Sequence, residues 1–163
     1  MRLVVADTSP LRYLVQIDQI DLLPRLFQKI FIPSVVYEEL QHPSAPEAVR
    51  KWMQSRPNWI QVSVVRASQD PSLNGLDEGE KSAIALGLSL SADLILIDDR
   101  RGAAVARGQG FEVTGTLGIL DLAARRGMVD LADSLARLRR TNFRRREELF
   151  DELLRRHQRG DHF

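Results

Sequence analysis

Residues 94–97, LILI, form an unbroken apolar tetrad that runs directly into Asp98 and Asp99, with Arg100 and Arg101 immediately behind. A short apolar run bounded by charge fits a strand covered on both faces, as in the middle of a parallel sheet. Asp98 and Asp99 then stand at the carboxyl end of that strand, the edge at which open parallel α/β sheets bind ligands. Adjacent carboxylates repel each other, so their joint placement calls for a cation or a solvated turn. The plainer alternative is an aspartate that caps the next helix.

The pattern recurs along the chain. Residues 3–6 are apolar and end in Asp7, and Thr8, Ser9 and Pro10 lead into a helical run. With Thr8 or Ser9 available as the cap, Asp7 is spare for chemistry. Residues 27–32 predict a third strand, and Pro33 with Ser34 opens the helix SVVYEELQH, which stops before Pro43. Helical neighbours differ by about 100°, so only one of Glu38 and Glu39 can face a given pocket, and the bland reading leaves both on the surface. A short helix over 47–53, a strand over 59–62 and an exposed loop over 66–75 come next. Trp52 and Trp59 read as packing residues, each without an aromatic neighbour.

Asp77 and Glu80 have the spacing of a capping box ahead of a helix over 81–90, whose Ala83, Ile84 and Gly87 make a face able to lie close on a sheet. Beyond the LILI strand, the pattern predicts a helix over 102–107, a strand over 111–113, a tight turn at 114–116, and helical stretches over 117–126, 131–140 and 145–157. Strands alternating with helices predict a mostly parallel sheet with helices on both faces. The expected organisation is a single domain with its core over about 1–128 and a helical basic tail over about 129–163.

Composition narrows the function classes. A chain with 44% hydrophobic and 28% charged residues is globular rather than disordered. No apolar run nears the roughly 18 residues of a membrane span. The opening MRLVVADTSP is too short an apolar run for a secretory leader, and the lack of cysteine removes disulfides, thiolate metal sites and thiol nucleophiles. A cytoplasmic protein is the expectation. Charge is uneven: residues 1–90 carry 9 Lys/Arg against 10 Asp/Glu, and residues 137–163 carry 9 Arg against 5 Asp/Glu. The basic tail suits a polyanion or an acidic protein partner, or a solvated helix face.

If the strands that carry them adjoin, Asp7, Glu39, Glu80, Asp98 and Asp99 converge on one edge. They cannot all stay ionised there unless a cation balances them. Carboxylate oxygens without His or Cys select hard ions such as Mg²⁺ or Mn²⁺, which orient a phosphodiester and acidify a bound water. Hydrolytic phosphodiester cleavage follows. His42, His157 and His162 lie in a loop and near the C-terminus, where no Ser-His-Asp triad has an evident site, and phosphate-loop and dinucleotide fingerprints are absent.

VADTSPL at 5–11, IPSVVYEEL at 32–40, LDEGEKSAIAL at 76–86 and LILIDDRRGAAVA at 94–106 resemble the successive acidic motifs of PIN-domain proteins. TGTLGILDLAARRGMV at 114–129 is similar to the C-terminal part of the compact bacterial and archaeal members related to VapC toxins. The resemblance implies a three-layer α/β/α fold with a helical C-terminal extension and a Mg²⁺- or Mn²⁺-dependent endoribonuclease. It also implies a toxin with a cognate antitoxin protein, and a homodimer. Carried over, the catalytic and metal-holding positions fall on Asp7, Glu39, Glu80 and either Asp98 or Asp99. Relatives with Thr-x-Asp at the fourth motif would align Asp99, with Ile97 in place of the threonine. Thr8, Ser9, Arg100 and Arg101 are the candidate RNA contacts. Two readings compete: a catalytically silent PIN-fold module that binds RNA or protein, and a phosphatase or DNA nuclease on the same fold.

Overall fold

A computed structural model describes residues 2–66, 68–145 and 147–159; His162 lies outside the described residues. Its sheet comprises β1 (Val4–Ala6), β2 (Ile30–Pro33), β3 (Ile60–Ser63), β4 (Leu94–Leu96) and β5 (Glu112–Thr114), in the order β3-β2-β1-β4-β5. Every pairing is parallel. In register, Val4 lies opposite Ile30 on one side and Leu94 on the other. The two central strands, β1 and β4, are buried at every position, as expected for apolar runs covered on both faces. Helices flank the sheet in an α/β/α arrangement.

The connecting helices are α1 (Thr8–Gln16), α2 (Leu22–Phe27), α3 (Ser34–Gln41), α4 (Glu47–Gln54), α5 (Glu78–Leu90) and α6 (Arg100–Gly108). α2 corrects the sequence reading, which placed Phe27 at the start of a strand. Leu23 and Phe27 are both buried one helical turn apart, and Gln28 at φ 69° reverses the chain before β2 begins at Ile30. The expected exposed loop has one exception, because a 3₁₀ turn over Pro71–Leu73 sinks Leu73 into the core beside Leu76; Ala67 lies outside the described residues. Trp52 and Trp59 are not isolated: their ring centroids lie 5.9 Å apart.

α5 approaches the sheet closely, as its small-residue face predicts. A β-carbon at Gly87 would sit 2.9 Å from Ile95 Cδ1 and 3.1 Å from Phe111 Cζ. Ile95 is itself fully buried, so the contact has little room to relax.

The chain divides into two compact units, Met1–Thr116 and Leu117–Phe163. The second unit holds most of α7 (Thr116–Arg125), with α8 (Leu131–Arg139) and α9 (Glu147–Gln158). Asp130 caps α8 by accepting the Asp133 N–H at 3.1 Å. Phe143 and Phe150 meet edge to face at 6.3 Å, and the Arg139 guanidinium lies 4.7 Å over the Phe150 ring while pairing with Glu147 and Asp151. Arg137 and Arg155 pair with Asp133 and Glu152. Part of the basic character of the tail is therefore engaged inside its own unit. Among the described residues no helix is long and apolar enough to cross a membrane.

Gly87→Val should overpack the α5–β4 contact and destabilise the protein by about 1–3 kcal/mol, read as a lower midpoint in urea denaturation.

Candidate active site

Because all five strands run the same way, their carboxyl ends share one edge of the sheet. Asp7 stands directly beyond β1, and its N–H extends the ladder to the Leu96 carbonyl at 2.9 Å. It occupies the N-cap position of α1, yet its side chain makes no capping bond there. Thr8 and Ser9, expected as caps, are instead the first two helical residues, and Pro10 falls within the turn whose N–H groups have no helical partner anyway. The Thr8 hydroxyl donates to Glu39 Oε2. Ser9 is half-buried and forms no hydrogen bond with these carboxylates among the described residues.

Glu39 projects from α3 and is half-buried, whereas Glu38 is exposed, so the helix does turn only one of the pair inward. A β-carbon at Gly79 would lie 2.9 Å from Asp7 Oδ1 and 3.0 Å from Glu39 Oε1. The bare α-carbon of Gly79 thus leaves open the space that those two carboxylates share.

Glu80, next in sequence, is only 7% exposed. The capping box read from the sequence is complete: Glu80 N–H donates to Asp77 Oδ1 at 2.8 Å, and Asp77 N–H donates to Glu80 Oε1 at 3.0 Å. The other carboxylate oxygen of Glu80 faces Asp99, since a β-carbon at Gly102 would lie 3.5 Å from both Glu80 Oε2 and Asp99 Oδ2.

Asp98 and Asp99 part ways. Asp98 is buried and turns to Thr116, accepting its N–H and its hydroxyl, each at 2.7 Å. Asp99 caps α6 by accepting the Gly102 N–H at 2.8 Å and stays on the Glu80 side. The two arginines differ as well. Arg101 donates to the Asn74 carbonyl at 3.0 Å and lies against Gly75, whose φ of +88° and lack of a side chain admit it. Arg100 is exposed. Arg101 is therefore a clamp on the loop leading to α5.

Asp77 is the member that sequence reasoning set aside as a cap. Its charge is felt by both Asp7 and Glu80, and its position three residues before Glu80 was the available signal. Burial is the main cause that holds Asp7 well above the usual carboxylate range; the Thr8 N–H offsets part of this, and Asp77, Glu80 and Glu39 add repulsion. Burial likewise raises Glu80 to about 7, against the bond from the Asp77 N–H and with the help of Asp77 and Asp99.

Hard divalent ions suit this donor set of four carboxylates without His or Cys. Among the described residues no Lys, Arg or His pairs with Asp7, Glu39, Glu80 or Asp99, so no cationic side chain offsets the burial and repulsion that weaken Asp7 and Glu80 as acids. The groups stand as two pairs, Asp7 with Glu39 and Glu80 with Asp99. Among the described residues no group of three or more His, Cys, Asp or Glu side chains converges closely enough to hold a metal ion.

Folding raises both affinities for protons, so the stability contributed by the protonated forms is present at low pH and is lost as pH climbs. For Glu80 that interval runs from 4.5 to about 7. Glu80→Gln, which keeps an oxygen for the Asp77 N–H, should match wild type in urea denaturation at pH 4 in EDTA and exceed it at pH 8. Asp98→Ala should cost about 1–3 kcal/mol by stranding the Thr116 N–H and hydroxyl, whereas Asp99→Asn should leave stability nearly unchanged because asparagine also caps helices well.

A family model described as a PIN domain matches residues 3–159. No curated protein and no solved structure matches the chain. Since the family match runs through all five strands and on into the last helix, the chain belongs to the PIN-domain family.

Proposed function

We propose that this protein is a Mg²⁺- or Mn²⁺-dependent endoribonuclease that hydrolyses RNA phosphodiester bonds. PIN domains are generally nucleases and usually use divalent metals. The observation that carries the reading is the pair of adjoining carboxylate pairs, Asp7 with Glu39 across Gly79 and Glu80 with Asp99 beside Gly102, none of them ion-paired to a cationic side chain among the described residues. Asp7, Glu39, Glu80 and Asp99 would hold the metal, and Asp98 would serve the strand-end architecture through Thr116.

A divalent ion bound there supplies positive charge against the phosphate and lowers the pKa of a water. The protein's own groups do the positioning. Thr8 fixes the Glu39 carboxylate by donating its hydroxyl. The cap on α6 fixes Asp99 through the Gly102 N–H. Gly79 keeps the approach to Asp7 and Glu39 free of side chain. Glu80, whose carboxyl is raised to about 7 by burial and by Asp77 and Asp99, would hold a cation only in its deprotonated form. Arg100, exposed beside Asp99, would contact the RNA backbone.

The motifs that resemble VapC-related proteins support a finer reading: the toxin of a toxin-antitoxin pair, held by a cognate antitoxin, homodimeric and cytoplasmic.

Incubating purified protein with a mixed pool of structured RNA tests the core proposal. Cleavage should require Mg²⁺ or Mn²⁺, stop in EDTA, and fall by about two orders of magnitude or more in Asp7→Asn, a loss on the scale of deleting a main electrostatic contributor. Cutting by Asp7→Asn at the wild-type rate, or cutting in EDTA, would sink the carboxylate site as the catalyst. No cleavage of any RNA or DNA by wild type would favour the silent binding module.

A further inference from the structure

Thr8 and Glu39 belong to the carboxylate site and also line a cavity of about 330 Å³ whose other walls are of a different chemistry. Arg12 stands one helical turn beyond Thr8 on α1 and so faces the same side of it. Leu40 and Val49 form an apolar wall, and His42 and Ser44 come from the segment that joins α3 to α4. The volume sits at the lower end of the ~300–1,000 Å³ typical of small-ligand sites.

The polar groups in this cavity are oriented. Arg12 Nε donates to Gln16 Oε1 at 3.4 Å and its guanidinium lies 5.4 Å over the Tyr13 ring, which directs the side chain. His42 Nδ1 accepts the Ser44 N–H at 3.0 Å and lies 2.6 Å from the Ser44 hydroxyl. With Nδ1 accepting, the neutral ring carries its proton on Nε2 and is a donor there. An arginine, a histidine and an apolar wall around one cavity match a phosphate attached to a sugar and base.

The geometry points to this cavity as the subsite for the single nucleotide adjoining the scissile phosphate, with Arg12 and His42 on that nucleotide's own phosphate and Leu40 and Val49 against its sugar or base. The inference rests on the RNA-cleaving reading for its role, and it gives that reading an anchor that needs no metal. The carboxylates repel RNA until a cation neutralises them, whereas Arg12 in the cavity lining brings positive charge of its own. Glu39, shared by both, joins the two.

The test uses the full chain and adenosine monophosphate in EDTA, followed by amide NMR. Binding should perturb Arg12, His42, Ser44 and Val49. Arg12→Gln should weaken it by removing charge, and Ala45→Leu by filling the cavity while leaving the Ala45 carbonyl bond to Arg50 intact. In the metal-loaded cleavage assay both variants should raise KM about tenfold with kcat held within about twofold, the signature of lost binding without lost chemistry. No binding of the nucleotide, or binding that neither variant weakens, overturns the inference. RNA cleavage with KM unchanged in both variants overturns it as well and leaves the nuclease standing. Binding lost in both variants, from a protein that cleaves nothing, supports the nucleotide site and removes the nuclease.

Discussion

The parallel ladder between β1 and β4 sits at the centre of the sheet, and every side chain of both strands is buried. That ladder does not stop at the last apolar residue, because the Asp7 N–H continues it to the Leu96 carbonyl. A carboxylate is thereby bolted to the backbone of the neighbouring strand at the depth where the core ends. Burial disfavours its charge, and the apolar contacts of the central strands are what make that arrangement tolerable, since each fully buried aliphatic side chain contributes roughly 1.5–3 kcal/mol. Asp77, Glu80 and Glu39 all act on its charge.

Adjacent residues at a strand end point to opposite sides, and the chain uses this to give two aspartates two different surroundings. Asp98 goes inward and has its charge met by an N–H and a hydroxyl from Thr116. Asp99 goes to the next helix, where a single N–H holds it and the rest of its carboxylate looks toward Glu80. A satisfied buried carboxylate is a structural element, and a partly satisfied one among like charges is available for a ligand. The same contrast separates Arg101, spent on the Asn74 carbonyl, from Arg100 beside it.

Much of this was legible beforehand for identifiable reasons. β1, β2 and β4 are short apolar runs closed by charge or proline, and the Asp77–Glu80 box and the small face of α5 carry their geometry in their spacing. α2 escaped because Phe27 is followed closely by the apolar stretch of β2, and the break lies in the backbone of Gln28 rather than in its residue type. The partners of Asp98 and Asp99 were not decidable from adjacent letters, because Thr116 lies far along the chain. Leu73 and the Trp52–Trp59 contact escaped for the same reason: both depend on where a loop or helix returns. The acidic residues themselves were all visible, but which of them share space was not.

Each of the four carboxylates arrives from a different junction: Asp7 after β1, Glu39 in the helix after β2, Glu80 in the helix after the β3 loop, and Asp99 after β4. None is part of a strand. A lineage could rewrite one junction, change or lose its chemistry, and keep an interior that folds as before. In such an architecture kinship and activity are inherited separately, and shared ancestry among these proteins is read from the strands while their trade is read from the four junctions.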